Sequence, residues 1–319
     1  MMILIAMALL VSSGLWVFVR LAPHWGLVDQ PNSRSLHTKP TVVSGGIAPI
    51  LVLAVALSIT MNFSGAQAFA LMTFALTVIG MLDDQRGLPS GLRFVCYLGA
   101  GVTLCWLLLP AGSVSIVVLG MGGVAVAWCI NLVNFMDGAD GLVSTQALCV
   151  AVGMGLIATF GAFPNAQLAW LCAMLFACWA PLLWFNWPPA RLFMGDAGAI
   201  PLGFVLALMG LMAFLTDPSV GFAWLILMMP FLVDTGLTLC IRVSAGRQPH
   251  VAHRDHAYQR LRVQMGSPLP IMLGLLGMQI IWQFPLAVMA VNSAVSPPLL
   301  VLLSAIPSVT TVVYARLRA

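Results

Sequence analysis

The sequence predicts an all-α, polytopic membrane helix bundle of about eleven transmembrane helices, with its N-terminus outside and its C-terminus cytoplasmic. Three observations carry this expectation. Of 319 residues, 61% are hydrophobic and 7% are charged, where a soluble domain carries about 25% charge, and the mean hydropathy is +1.04. Apolar runs of about 20 residues, enough to cross a bilayer as helix, recur along the whole chain. All thirteen Lys and Arg lie on one set of connections or at the span ends beside them.

The first apolar run, Met1 to Val19, has no basic residue before it and Arg20 after it. That is the reverse of a signal peptide's charged start, so an uncleaved span is expected. Further spans are expected at 45–63, 66–82, 93–110, 114–133, 142–161, 165–185, 197–215, 220–241, 269–291 and 297–315. The connections fall into two classes. Those at 22–44, 83–92, 134–141, 186–196 and 242–268 are polar, whereas 64–65, 111–113, 162–164, 216–219 and 292–296 are short and almost uncharged. The basic residues belong to the first class, which the positive-inside rule makes cytoplasmic. With no long polar linker, 1–319 reads as a single transmembrane domain. It lacks the internal repeat of an inverted-repeat transporter.

All nine acidic residues are Asp, and only Asp217 lies away from the basic side. The absence of Glu excludes the H-E-x-x-H zinc protease signature. The seven cysteines lie in apolar runs without a C-x-x-C pair and read as small buried hydrophobes. A net charge of +4, without basic runs interleaved with aromatics, gives no nucleic-acid signature.

The polar connections carry five constellations. Asn131-Leu-Val-Asn134-Phe-Met-Asp137-Gly-Ala-Asp140-Gly-Leu142 puts two amides and two carboxylates in register at a span end. Such groups are costly there unless they face water, a partner or an ion. Asp83-Asp84 closes the third span, where the helix dipole disfavours both and calls for a cation, either a metal or Arg86. Phe185-Asn186-Trp-Pro-Pro-Ala-Arg191-Leu-Phe-Met-Gly195-Asp196-Ala-Gly198 sets Asp196 at the start of the next span, where a plain helix cap is the ordinary alternative. His250-Val-Ala-His253-Arg254-Asp255-His256 has histidine spacing that could hold zinc. Its arginines repel a metal and favour a phosphate. Asp29-Gln-Pro31-Asn32-Ser-Arg34-Ser-Leu-His37-Thr-Lys39 adds a further basic loop. Asp234, inside the ninth span, is either functional or structurally paired. Carboxylates and amides suited to Mg²⁺, beside Arg, His and Lys suited to phosphates, predict Mg²⁺-dependent chemistry on a diphosphate next to a lipid.

At these residues the chain resembles the polyprenyl-phosphate N-acetylhexosamine-1-phosphate transferases. The resemblance rests on five ordered motifs between about Asp29 and Arg260: P-N-x-R-x-x-H, L-D-D, N-x-x-N-x-x-D-G-x-D-G-L, F-N-x-x-P-A-x-x-F-M-G-D-x-G and the histidine-rich loop. It implies attack by undecaprenyl phosphate on a UDP-N-acetylhexosamine, release of UMP, and a multi-pass enzyme of the bacterial inner membrane. A homodimer is compatible with it. By the same resemblance, Asp196 is the principal ligand of Mg²⁺ (or Mn²⁺) and Asn134 the second. Asp83 deprotonates or positions the lipid phosphate, with Asp84 in support. Asp140 and Asn186 lie near the uridine, and Asp137 shapes the same side. His253, Arg254 and His256 hold the diphosphate and sugar. Asn131, Arg191, Arg34, His37 and Lys39 complete the substrate-binding set.

The final loop reads H-R-D-H-A-Y-Q instead of H-x-H-H, Ala199 stands where Ser is usual, and Val42-Val43 replace a frequent Pro-Arg. These departures resemble the branch that starts O-antigen with GlcNAc, or with a 6-deoxy sugar such as FucNAc or QuiNAc. The extra C-terminal span and the lack of a pentapeptide-binding insertion argue against a peptidoglycan precursor. Two alternatives compete. An intramembrane prenyltransferase should show two Asp-rich motifs on facing helices, and only Asp137/Asp140 fits. A transporter of anionic substrates should carry charge near the midplane, where only Asp234 qualifies.

Overall fold

Apolar runs in a bilayer must satisfy their backbone groups internally, so they form helices. The computed structural model describes residues 1–31, 39–61, 65–110, 114–248 and 253–317. Its helices are α1 (Met2–Leu21), α2 (Ile47–Thr60), α3 (Ala66–Arg86), α4 (Ser90–Leu108), α5 (Ile116–Met136), α6 (Leu142–Phe160), α7 (Ala166–Asn186), α8 (Asp196–Thr216), α9 (Pro218–Ser244), α10 (Ala257–Met265), α11 (Leu269–Met278), α12 (Phe284–Asn292) and α13 (Pro297–Leu317). A π-helical turn at Gln279–Gln283 joins α11 to α12. Two short antiparallel strands, β1 (Val28–Asp29) and β2 (Thr41–Val42), form the sheet among the described residues.

Ten helical segments among the described residues are long and apolar enough to cross a membrane, Leu269–Asn292 counting as one. The expected span at 45–63 is the exception. Its helix, α2, has 14 residues, about 21 Å of rise against the ~30 Å of a hydrocarbon core. Residues before it are drawn into extended pairing instead. The Gly45 and Gly46 N–H groups donate to the Phe193 and Met194 carbonyls, both at 2.9 Å.

Two connections are also more ordered than expected. α3 carries Asp83 and Asp84 within its last turn and ends at Gly87, whose φ of 67° suits a residue without a side chain. The connection at 242–268 contains the tail of α9 and all of α10. Most cysteines are buried or half-buried as expected, but Cys240 is exposed on α9.

α8 is the axis of the bundle, packed against α2, α3, α5, α7 and α9. Its small residues make this possible. A methyl on Gly203 would lie 2.6 Å from the Ile130 Cα, and one on Gly198 would meet Gly46 Cα at 2.6 Å. Small residues let helix backbones approach where lipid supplies no hydrophobic drive. At the end where α8 begins, α3, α5 and α7 finish, and Asp84, Asn134 and Asn186 therefore converge on one region. At the other end Asp217 caps α9 by accepting from the Ser219 N–H at 2.8 Å.

Candidate active site

The site is assembled around the first residue of α8. Asn134, near the end of α5, donates its Nδ2 to Asp196 Oδ1 at 2.6 Å. Asp84, near the end of α3, accepts the Asp196 N–H at 2.9 Å and the Ala197 N–H at 3.3 Å, and takes the Ser44 hydroxyl at 2.6 Å. A carboxylate at a helix N-terminus satisfies unpaired N–H groups and meets the positive end of the dipole. Asp84 thus holds the start of α8 in place. Gly80 lets α3 come this close, since a methyl there would strike the Asp196–Ala197 backbone.

Asp83 points elsewhere. It accepts the Leu88 N–H at 2.6 Å and pairs with Arg93 in the first turn of α4. The same Arg93 Nη1 lies 3.5 Å from Asp196 Oδ2. The sequence left a metal or Arg86 as the cation beside the Asp pair; the side-chain cation there is Arg93, not Arg86. Asp137, just past α5, completes the acidic wall. Burial first, then the charges of Asp84 and Asp140, push its carboxyl up to about 7, against the opposing pull of the Gly195 N–H.

Residues 66–214, which contain these carboxylates and amides, match the model of glycosyl transferase family 4. The chain is similar to a probable undecaprenyl-phosphate N-acetylglucosaminyl 1-phosphate transferase of Bacillus subtilis (strain 168), 29% identical over 262 residues, covering 75% of this chain and 72% of that protein. A decaprenyl-phosphate N-acetylglucosaminephosphotransferase of Mycolicibacterium smegmatis is 29% identical over 300 residues, covering 79% and 72%. A phospho-N-acetylmuramoyl-pentapeptide-transferase of Synechococcus sp. is 32% identical over 198 residues, covering 56% and 55%. Across residues 66–214 the chain is similar to glycosyl transferase family 4.

Asp140 and Asn186 are engaged with backbone. Asn186 is buried, accepts the Gly141 N–H at 2.9 Å and donates to the Leu192 carbonyl at 2.9 Å. Asp140 accepts the Ala190 N–H at 3.0 Å. Together they staple the loop after α5 to the loop after α7. Arg191 is exposed, with its guanidinium 5.6 Å from the Phe185 ring centroid. Asn131 donates to the Ala127 carbonyl of its own helix at 2.9 Å. Lys39 is exposed, while Arg34, His37 and His250 lie outside the described residues.

The loop between α9 and α10 forms the adjoining wall. Asp234 caps α10, accepting the Ala257 N–H at 2.8 Å and the Tyr258 N–H at 3.1 Å, so its intramembrane carboxylate has a structural partner. Tyr258 donates to the Phe135 carbonyl at 3.0 Å, which ties this loop to the end of α5. His253 and His256 face each other with ring centroids 5.0 Å apart. Burial, with His256 and Arg242 beside it, holds His253 down to about 4, so it is neutral at pH 7. Burial raises the Asp255 carboxyl, but Arg242 and Arg260 outweigh it and keep it below the usual range. Asp255 gathers Arg242, Arg260 at 3.0 Å and Arg247 at 3.7 Å. Arg254 lies on the same loop, half-buried.

Among the described residues, no three of His, Cys, Asp and Glu converge as a self-sufficient metal cage. The donor chemistry still suits Mg²⁺, which is held by one or two carboxylates together with water and substrate phosphates. Asp196 supplies hard oxygens, and Asn134 would present its Oδ1 once its amide turned over. Sequence reasoning missed Arg93 and Ser44. Arg93 belongs to no motif, and its signal was only a lone cation ten residues after Asp83. Ser44 stood in a Ser-Gly-Gly run whose proximity to Asp84 no local pattern reveals.

Proposed function

We propose that the chain transfers N-acetylhexosamine-1-phosphate from a UDP-sugar to undecaprenyl phosphate, releasing UMP, at the cytoplasmic face of a bacterial inner membrane. The sugar proposed is GlcNAc or a 6-deoxy N-acetylhexosamine, and the product starts an O-antigen or related envelope glycan. One observation carries the reading: Asp83, Asn134 and Asp196 arrive from three different helices at one point beside an Arg/His loop.

A lipid-phosphate oxygen bonds to the β-phosphorus of the UDP-sugar, the bond from that phosphorus to the bridging oxygen breaks, and UMP leaves with the oxygen. Because the acceptor is already largely ionised near pH 7, Asp83 serves to orient it more than to take a proton. Mg²⁺ or Mn²⁺ held by Asp196 and Asn134 would offset the charge on the transferring group. Arginines on the α9–α10 loop would hold the diphosphate, while neutral His253 contributes hydrogen bonds without charge. Asp140, Asn186 and Asp137 shape the nucleotide wall.

An apolar cavity of about 320 Å³ supports a lipid substrate. Leu183, Trp187, Met272 and Phe284 are among its lining residues. A methyl placed on Gly141 would meet Met272 and Leu183, so the cavity abuts the stapled loops.

The test is UMP release by detergent-purified protein given undecaprenyl phosphate, Mg²⁺ and a panel of UDP-N-acetylhexosamines, including the muramoyl-pentapeptide form. Asp196→Asn should reduce release at least about a hundredfold. Absence of lipid-linked product with every donor would overturn the reading.

A further inference from the structure

α4 contributes no residue to the motifs above, yet its first two turns face the acidic wall. Arg93 and Tyr97 are spaced i, i+4 and so lie on one stripe of the helix. One guanidinium nitrogen of Arg93 serves two carboxylates, pairing with Asp83 and lying 3.5 Å from Asp196. The side chains differ in access: Asp83 is 6% exposed, while Arg93 and Asp196 are 26% and 29% exposed. The grip on Asp83 is thus shielded, and the reach to Asp196 is open.

Tyr97 is 1% exposed and its hydroxyl has no hydrogen-bond partner. The charges of Asp196, Arg93 and Asp83 all act on it. A buried hydroxyl left unpaired is costly.

We propose that Arg93 is the resident counter-ion of the Asp83–Asp196 pair: it holds Asp83 in place and competes with a divalent cation for Asp196, thereby setting the cation affinity of the site. The proposal rests on the metal reading above. The physical argument is charge balance. Asp83, Asp84 and Asp196 crowd together, and like charges at short range must be offset. A positive charge a few ångströms from a cation site weakens cation binding. Arg93 is accordingly a positioning residue.

The test is Mn²⁺ binding by full-length protein in detergent, followed by loss of the free-ion electron paramagnetic resonance signal, without substrates. Arg93→Gln should bind Mn²⁺ about tenfold more tightly than wild type, and Arg93→Lys should restore the wild-type affinity. Arg93→Lys keeps the charge while altering the side chain, so tightening in Arg93→Gln but not in Arg93→Lys separates competition from a structural role. Should Arg93→Gln fail to fold, the charge-balanced pair Asp83→Asn/Arg93→Gln replaces it and should bind about tenfold more tightly than Asp83→Asn alone. Unchanged or weaker affinity in whichever comparison is made would overturn the proposal. Asp196→Asn distinguishes the two readings. If it leaves Mn²⁺ binding intact, the metal reading fails. If it abolishes binding while Arg93→Gln tightens nothing, only the role of Arg93 fails.

Discussion

At the residue scale, the same side-chain type does different work according to what lies beside it. Asp84 and Asp217 both cap helices, one at each end of the bundle. Replacing either with Ala should cost about 1–2 kcal/mol, the usual loss for a cap, read as a lower melting temperature in detergent. Only Asp84→Ala should also abolish UMP release, because it frees the start of α8 and with it Asp196. His253 gives a pH signature. Its folded pKa of about 4 lies below the ~6.5 of an exposed imidazole. Between these values the unfolded chain binds more protons, so the histidine's contribution to stability is lost as pH falls from about 6.5 to about 4. Melting curves of His253→Gln should therefore fall less steeply than wild type across that window.

At the element scale, the site depends on how closely α3 and α8 approach. Gly80 sits against the Asp196–Ala197 backbone, which cannot yield as a flexible side chain could. Gly80→Ala should lower activity by about a hundredfold, since small displacements of reacting groups cost that much, and destabilise the fold by about 1–3 kcal/mol. Gly91→Ala on α4 is the contrast. A methyl there meets nothing within 4 Å, so it should be neutral or stabilise by up to about 1 kcal/mol through helix propensity. The existence of α3 and α8 was legible as apolar runs. Their contact was not, because a glycine in an apolar run looks the same whether it faces lipid or another backbone.

At the scale of the whole molecule, α2 decides the topology. Ten long helices place both termini on one side, whereas a crossing by α2 as well would make eleven and place them on opposite sides. The charge asymmetry of the sequence favours the second arrangement. A fluorescent-protein fusion at the C-terminus should fluoresce, and an alkaline phosphatase fused at the N-terminus should be active in the periplasm. Both termini reporting on the same side would show that α2 does not cross.

Some of this protein follows from its sequence alone. Hydropathy determined the helical class, because a bilayer leaves the backbone few other options. The Asp, Asn, His and Arg motifs pointed to a polar site on one set of connections, because those groups are too costly at a membrane's edge without a purpose. Only the tertiary structure decided their individual roles. Whether a carboxylate caps a helix, as Asp84 and Asp234 do, staples two loops, as Asp140 does, or faces a cation, as Asp83 and Asp196 do, depends on partners distant in the chain. Arg93 came into view for the same reason: its meaning lies in a contact with α8 across the bundle.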